Sequence, residues 1–489
     1  MSAMIDAVGR LLAWEQGSAV PIRATSALSE DPEGALGIAV VRLAGEERIQ
    51  AIAVGPITGT GEPTISVAWN ALDRNTRHLD ALARTLDRYF RYSIASGQLP
   101  RVWMSAATQR CIELLGYRYR NNAYASSGIR QLAALCGLLA HEACYPGQQV
   151  VVVAENLLRA HVVTGQSADD DQHLGALLAW LSPSSGPGTS ALQEADRRAL
   201  QPASGLLERL IDNRLERLRI SAKRQLRGGA TKSRRRVRVQ PAGKPSREAI
   251  EELLRAGVKR EWDLLVEARQ AFWGLGLPVS PGTKYLEKLS FGRISYEFTA
   301  DRNLPSRPHS LSRVMNELEY LLALVEALDV RYDRCVRQQK RHEGRVFLAE
   351  VVGVVQRRPN RKPCTLLLRT RQEVLRVREG TRLQVLDAKV NGRVTVARST
   401  DTPGETLVEL ELKRGVREGD RPPLGAMVDL ADTVLLDTTV RQRKVYLQMR
   451  AEPPTLAERA LRPPPPGADE GVAADLLDFL DDLRGPVRQ

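Results

Sequence analysis

Residues 34–57 read GALGIAVVRLAGEERIQAIAVGPI, and their pattern gives the clearest indication of how the first part of the chain folds. Two apolar runs of strand length flank the polar turn Ala44–Glu47, which is the pattern of two paired strands. A third run of strand length, Thr64–Trp69, follows. Together the three runs predict a meander of three strands.

Beyond the meander, helical and strand patterns alternate up to residue 181. Apolar residues at helical spacing predict helices, and short apolar runs predict two further strands. The continuous valines of Val150–Val153 indicate a strand that is buried on both faces. In order, the predicted elements are a helix over 74–96, a strand over 101–104, helices through Cys111 and over 127–143, a strand over 149–153 and a helix over 173–181. We predict one α/β domain over residues 1–182.

This order of elements over residues 35–181 resembles the ribonuclease-H-like fold, including the three-to-five exonucleases and the exonuclease-like domains fused to some bacterial helicases. Active members of that family hold two metal ions with carboxylates, one of them in the first strand. Here Gly37–Leu43 contain no acid, and neither do Arg101–Met104. The resemblance therefore implies a degenerate domain without catalytic residues. We expect Asp169–Asp171 to cap the last helix, because acids favour the first helical turn.

Residues 183–245 begin with a Ser/Pro/Gly-rich linker and carry most of the excess charge of the chain. The chain has 71 Lys and Arg against 58 Asp and Glu, a net charge of +13. The stretch from Arg214 to Arg247, which we call the basic segment, contains thirteen basic residues and one acid, Glu216. Arginine suits bidentate phosphate contact, so we predict sequence-independent binding of nucleic-acid backbones. The predicted contact residues are Arg217, Lys223, Arg224, Arg227, Lys232, Arg234, Arg235, Arg236 and Arg238.

Two other interpretations of the basic segment stay open. A charge run can be a solvated, disordered linker. It can also attract a membrane surface or an acidic protein. No aromatic residue lies among the arginines between 214 and 247, so we do not expect base stacking there.

Residues 246–343 are predicted to form a helical domain. Leu311, Leu318, Val325 and Tyr332 are seven residues apart, as are Val314, Leu321, Leu328 and Cys335. Two interleaved heptad rows predict a long helix with a hydrophobic seam. The seam is expected to pack on the earlier helix of the same domain, with dimerisation as the alternative.

From Arg345 the apolar period changes to two, and six or seven short antiparallel strands suggest a small barrel or sandwich. We predict a small antiparallel β-barrel over residues 344–451. Val390–Arg393, with Asn-Gly at its centre, is the best hairpin signal in the chain. The helical region followed by this barrel loosely resembles the barrels that accompany superfamily-one helicase motors. No strand carries the paired aromatic residues of an oligonucleotide-binding platform, so a protein-binding scaffold is an equal alternative.

Residues 452–489 combine a stiff proline-rich spacer with an acidic amphipathic stretch. Apolar side chains recur at helical spacing among aspartates, which is typical of a docking helix that enters a groove on a partner. Packing of this helix on its own barrel is the alternative. The predicted partner-binding residues are Leu476, Leu477, Phe479, Leu480 and Leu483.

Motifs that would name a reaction are missing from the sequence. It contains no GxxxxGK[ST], HExxH or GxSxG, and we expect no cofactor and no metal. The spacing of Cys136, His141 and Cys144 is a weak zinc signal, for which core packing is the favoured explanation. Glu350 is a lone acid of the kind that nucleases use, without its usual companions.

The five cysteines have irregular spacing and form no CxxC, which favours reduced thiols in a cytoplasm. No apolar run approaches the ~18 residues of a membrane span, and Asp6 argues against a secretory signal. The excess of Arg over Lys suggests a bacterium of high GC content.

The sequence thus predicts an α+β multidomain protein, with a ribonuclease-H-like α/β N-terminal domain, a helical middle domain and an antiparallel β-barrel C-terminal domain. We expect a nucleic-acid-binding subunit that works with helicase, ATPase or nuclease partners, in antiphage defence or DNA repair. The alternatives are a metal-dependent nuclease with an unrecognised site and a self-associating structural scaffold.

Overall fold

The structure, a computed structural model, describes residues 3–32, 34–42, 49–58, 61–68, 76–120, 125–182, 188–200, 247–299, 308–356 and 363–432. The basic segment up to residue 246 and the tail 452–489 lie outside the described residues. The nucleic-acid-binding and partner-binding residues predicted there therefore stay predictions.

Residues 3–200 form an α/β part in which strands and helices alternate. The helices are α1 (Ala3–Gln16), α2 (Asp80–Ala95), α3 (Ala106–Arg120), α4 (Ser127–Glu142), α5 (Ala154–His161), α6 (Leu174–Leu181) and α7 (Gly188–Leu200). The strands are β1 (Val20–Pro21), β2 (Leu36–Arg42), β3 (Ile49–Pro56), β4 (Thr64–Val67), β5 (Val102–Met104), β6 (Val151–Val153) and β7 (Val162–Val163). Helix α7 occupies part of the stretch for which composition predicts a linker, and its Ala191 and Ala195 are buried against α6.

Five of these strands make one mixed sheet in the order β4-β3-β2-β5-β6. β2, β3 and β4 form an antiparallel meander, with Ile38 opposite Val54. β5 and β6 add in parallel on the other side of β2, with Met104 beside Ile38 and Val153 beside Met104. The mixed α/β character expected from the sequence is confirmed.

Both faces of the central strand β2 are buried, which explains why its sequence is apolar throughout. Ile38 and Val40 lie in a core cluster with Leu86 and Phe90 of α2. Ala39 and Val41, on the opposite face, lie in a separate cluster with residues of a later helix. Because successive side chains of a strand point to opposite faces, this one apolar run contributes to two separate cores.

The later helices are α8 (Arg247–Gly274), α9 (Pro281–Thr299), α10 (Pro308–Tyr332) and α11 (Arg334–His342). Helix α8 supplies the second face of the sheet, where Leu254, Val258 and Trp262 cover Ala39 and Val41. The fit at Gly37 is close, because a Cβ there would stand 2.7 Å from Trp262 Cζ3. The helical region expected from the sequence therefore packs directly on the sheet.

Helices α9 and α10 pack on the other side of the α/β part. Phe298 of α9 stacks on Phe90 of α2, with ring centroids 5.7 Å apart. The predicted seam of α10 meets α9, where Leu321 and Leu324 are buried in a cluster with Leu286. The seam is thus covered within the chain at Leu321, whereas its Tyr332 is exposed.

Six strands close into an antiparallel barrel in the order β10-β11-β12-β9-β8-β13, which confirms the barrel predicted for this region. Inward residues of all six strands fill a single core, with Phe347, Leu366 and Leu410 among its fully buried members. The strands are β8 (Val346–Gln356), β9 (Cys364–Thr370), β10 (Arg382–Val385), β11 (Asn391–Ser399), β12 (Thr406–Arg414) and β13 (Met427–Asp432).

The cationic helix α11 joins the barrel to α10. Asp333 caps α11 by accepting from Cys335 N at 2.9 Å and Val336 N at 3.2 Å. Arg337 and Arg341 reach the buried Asp429 of β13 at 3.2 and 2.5 Å. Among the described helices, none has both the length and the hydropathy needed to span a membrane.

Candidate functional site

An ion pair joins α7 and α8, the helices that flank residues 201–246 in the sequence. Arg198 Nη1 of α7 donates to Glu267 Oε1 of α8 at 2.7 Å. Glu194 accepts hydrogen bonds from Arg197 and Arg198, and these bonds lower the pKa of the Glu194 carboxyl to about 2. Glu267 lies roughly 30 Å along α8 from its first residue, at about 1.5 Å per residue. The ion pair therefore joins the two helices that precede and follow residues 201–246 in the sequence.

The carboxyl ends of the parallel strands are the edge at which open α/β sheets usually carry their sites. Here that edge holds hydroxyl groups next to the end of β5. Val40 N of β2 donates to Thr108 Oγ1 at 3.3 Å, and Thr108 N donates to Ser105 Oγ at 3.2 Å. These bonds fasten the start of α3 to the central strand, so the hydroxyls are engaged in structure.

Glu155 is a buried acid at this edge, in the first turn of α5. Its side chain is reached by Ala106 N, which donates to Oε2 at 2.8 Å. The residue is 4% exposed, and burial raises the pKa of its carboxyl to about 7, against the charge of Arg159, which lowers it. A carboxyl with this pKa exchanges protons near neutrality, and sequence reasoning missed it because α5 was not predicted.

The positions at which the ribonuclease-H-like resemblance expects carboxylates hold apolar residues. Ile38, Ala39 and Val40 in β2 are all buried in apolar clusters. Met104 at the end of β5 is buried in the same core as Ile38. Across the residues that the structure describes, no group of three or more His, Cys, Asp and Glu side chains is arranged to hold a metal ion.

The acids Asp169–Asp171 do not cap the last helix, so the expected role was wrong. His173 is the N-cap of α6, and its Nδ1 accepts from Ala176 N at 3.4 Å. The acids lie one turn earlier, around a short 3₁₀ turn over Asp170–Gln172. The helix begins later than the acidic run, so its first free N–H groups are out of reach of these carboxylates.

Asp171 instead joins the N-terminal helix to the loop before α6. The residue is 3% exposed. Its Oδ1 accepts from Thr164 Oγ1 at 2.5 Å and Gln166 Nε2 at 2.9 Å, and its Oδ2 accepts from Arg10 at 3.0 Å. With both oxygens engaged, Asp171 is a structural acid.

The opposite edge of the sheet, at the start of β5, has a buried cluster of charged side chains that we did not predict from the sequence. Asp31 Oδ1 accepts from Arg101 Nη1 at 3.2 Å and Trp103 Nε1 at 3.0 Å. Its Oδ2 accepts from Arg269 Nε at 2.7 Å and Trp273 Nε1 at 2.9 Å, both on α8. The carboxylate thus links the start of β5 to α8. The sequence feature that could have indicated this cluster is Arg101, a basic residue directly before the buried strand β5.

An extended segment before β2 connects the α/β part to the helices next to the barrel. Arg23 forms a two-bonded ion pair with Asp329 of α10 at 3.1 and 2.7 Å. Thr25 N and Oγ1 each donate to the buried Asp333 at 2.9 Å. Ala27 N donates to His161 Nε2 at 2.9 Å, while burial lowers the pKa of His161 to about 4 and keeps the ring neutral.

The remaining candidates from the sequence are explained by ordinary contacts. Cys136 is fully buried in the main core, whereas His141 and Cys144 are exposed. Glu350 Oε2 of β8 accepts from Arg369 Nη2 of β9 at 2.7 Å. The packing explanation favoured for Cys136 fits its place in the core.

Comparison with known proteins adds no relative: no protein-family model, no curated protein and no solved structure matches this chain. Function is therefore inferred from the residues and their arrangement.

Proposed function

We propose that this chain is a nucleic-acid-binding subunit of a larger assembly in which helicase or nuclease partners perform the chemistry. The observation that carries the proposal is the concentration of thirteen basic residues against one acid between Arg214 and Arg247. The chain as a whole has a net charge of +13, so its attraction to polyanions centres on this segment. Each phosphate that such a segment neutralises releases counterions, which is the general source of affinity for nucleic acid.

We further propose that the α/β part is a ribonuclease-H-like scaffold for this segment. The strand order β4-β3-β2-β5-β6 supports it, with an antiparallel meander and two parallel strands beside β2. The apolar Ile38, Ala39 and Val40 support a scaffold in place of an enzyme, because two-metal catalysis needs carboxylates at the first strand. The Arg198–Glu267 ion pair holds together the two helices between which the basic segment lies in the sequence.

The test is the binding of the full chain to DNA duplexes of unrelated sequence, read by fluorescence anisotropy at several salt concentrations. We expect R234A/R235A/R236A/R238A to weaken binding to all duplexes about equally. The slope of log affinity against log salt should fall by up to about 0.9 for each lost phosphate contact. Unchanged binding, or a loss confined to one duplex, would contradict the proposal.

A matched control removes four arginines from the folded part. Arg84, Arg88, Arg130 and Arg255 are exposed helical residues that form no ion pair among the described residues. R84A/R88A/R130A/R255A lowers the net charge by the same amount. If this control weakens binding as much as the segment variant, net charge alone explains the affinity and the segment has no special role.

A further inference from the structure

The barrel carries a second basic surface, at the turn that leads into β10. Arg378 N donates to Thr381 Oγ1 at 3.1 Å, and Thr381 N donates to Arg378 O at 3.0 Å. Gly380 has φ of +88°, in the region that favours glycine. Gly380 N donates to Val394 O at 2.8 Å, which binds the turn to β11. The turn is thus a fixed part of the barrel surface.

Three exposed arginines, Arg378, Arg382 and Arg393, surround this turn, and we call them the barrel arginines. Arg382 and Arg393 are direct cross-strand partners of β10 and β11. A Cβ on Gly380 would lie 3.3 Å from Arg393 Nη2, so the Arg393 guanidinium rests against the glycine. The register and this contact place Arg382 and Arg393 side by side, and Arg378 lies in the same turn.

This arrangement leaves positive charge without a partner. Like charges directly opposite each other on paired strands are destabilising. Arg393 has Glu411 opposite it on β12, yet no ion pair joins the two in the described part of the barrel. Nor does Glu379, the exposed acid of the turn, form an ion pair with any described arginine. By contrast, Arg369 on the neighbouring strand β9 binds Glu350 at 2.7 Å.

We propose that the barrel arginines bind phosphate groups of a nucleic-acid backbone, as a contact additional to the basic segment. Guanidinium groups suit phosphate because their planar donors bind two oxygens at once. A bound backbone would supply the negative charge that the cross-strand pair Arg382 and Arg393 lacks. Within the described residues, none of the three arginines contacts an aromatic ring, so we expect the contact to recognise phosphate and not bases. The inference rests on the proposed function, since it requires that the chain bind nucleic acid.

The test compares the full-length chain with R378A/R382A/R393A by anisotropy, with a labelled duplex of about 30 base pairs and salt varied around about 0.1 M. We expect affinity to fall about tenfold and the log–log salt slope to fall by up to about 0.9 per arginine. R84A/R88A/R255A is the matched control, because it removes the same charge from exposed helices far from the barrel turn in sequence. The thermal midpoint of each variant checks that the fold is kept.

The outcomes separate this inference from the proposed function. If R378A/R382A/R393A and the control bind alike, the barrel contact is refuted while binding through the basic segment can still stand. If the unaltered chain binds no duplex, both proposals fail. The charge-retaining variant R378K/R382K/R393K should keep most of the salt slope but lose part of the affinity. A loss of polyglutamate binding as large as the loss of DNA binding would overturn the assignment to nucleic acid in favour of acidic proteins.

Discussion

Single buried acids in this protein fall into two kinds, according to whether a cation meets them. Asp31 faces both Arg101 and Arg269, and such a buried pair costs about 3–5 kcal/mol when one partner is removed. Glu155 has a different environment, because the hydrogen bond that reaches its Oε2 comes from the backbone N–H of Ala106. That bond lowers the pKa of the carboxyl, but burial outweighs it and raises the pKa to about 7.

The pKa of Glu155 predicts a pH-dependent effect of the substitution Glu155→Gln. Between the ordinary value of 4.5 and about 7, the folded chain holds a proton that the unfolded chain has lost, so stability falls as pH rises through this window. Glutamine keeps an oxygen for Ala106 N and does not titrate. We expect the variant and the parent to be similar near pH 4.5, and the variant to be more stable by about 1 to 3 kcal/mol near pH 8, as measured by urea unfolding.

Glu194→Gln provides a control of opposite sign. The pKa of Glu194 is lowered to about 2, so its charge stabilises the fold above about pH 4.5, and glutamine should lose that contribution near neutrality. Its exposed position makes the effect small. If Glu155→Gln is destabilising near pH 8, the ionised carboxylate has a favourable role there and the present assignment is wrong.

Helix α8 lies far from the strands of the sheet in sequence but packs directly on them. Its apolar residues at helical spacing predicted a buried face, but its sequence does not say what that face covers. In the structure α8 closes the second face of the sheet, after a long basic stretch that separates the two in sequence. The pattern within one helix indicates that a face is buried. It does not identify the element that covers this face, because that depends on contacts between residues far apart in the sequence. The cluster at Asp31, which joins three separate stretches, was unpredictable for the same reason.

The contact between Gly37 and Trp262 predicts coupling between the sheet and α8. Gly37→Ala adds a methyl group where Trp262 leaves no room, and we expect a loss of about 1–3 kcal/mol in the free energy of unfolding. Trp262→Leu removes the ring, so Gly37→Ala should cost clearly less in that background, with a coupling of about 0.5–3 kcal/mol. Chemical denaturation of both single variants and the double variant measures this cycle.

Gly128→Ala is the matched glycine control for this cycle. No heavy atom lies within 4 Å of an added Cβ at Gly128, and that position has no positive φ. The control should leave stability nearly unchanged, in both the parent and the Trp262→Leu background. Equal costs of Gly37→Ala in the two backgrounds would show that α8 does not dock on β2 through this contact.

For the whole molecule, period and charge were the informative signals. The change to period two after Arg345 predicted the barrel, and closure followed because six strands pair around one apolar core. The strands β2 to β6 were visible as apolar runs. Helix α5 was missed because it is short, and α7 was missed because the Ser, Pro and Gly residues before it indicated a linker. The candidate nucleic-acid contacts were predicted from runs of charge in the sequence. The barrel arginines were not predicted, because only the strand register brings them together.

The whole-molecule prediction concerns nuclease activity. Purified chain with Mg²⁺ or Mn²⁺ should leave single- and double-stranded DNA and RNA uncut. The proposed ribonuclease-H-like scaffold would need carboxylates in β2 to hold two metal ions, and β2 has Ile38, Ala39 and Val40 there. Gel analysis of labelled substrates, with an EDTA control, measures this cutting.

The decisive variants are Glu155→Gln and Asp170→Asn, because Glu155 lies at the carboxyl edge of the sheet and Asp170 is an exposed acid of the 3₁₀ turn. Asp171 is unsuitable, since its bonds to Thr164, Gln166 and Arg10 support the fold. Cutting that co-purifies with the chain and disappears in either variant, at a thermal midpoint no lower than that of the parent, would replace the scaffold proposal with a metal-dependent nuclease.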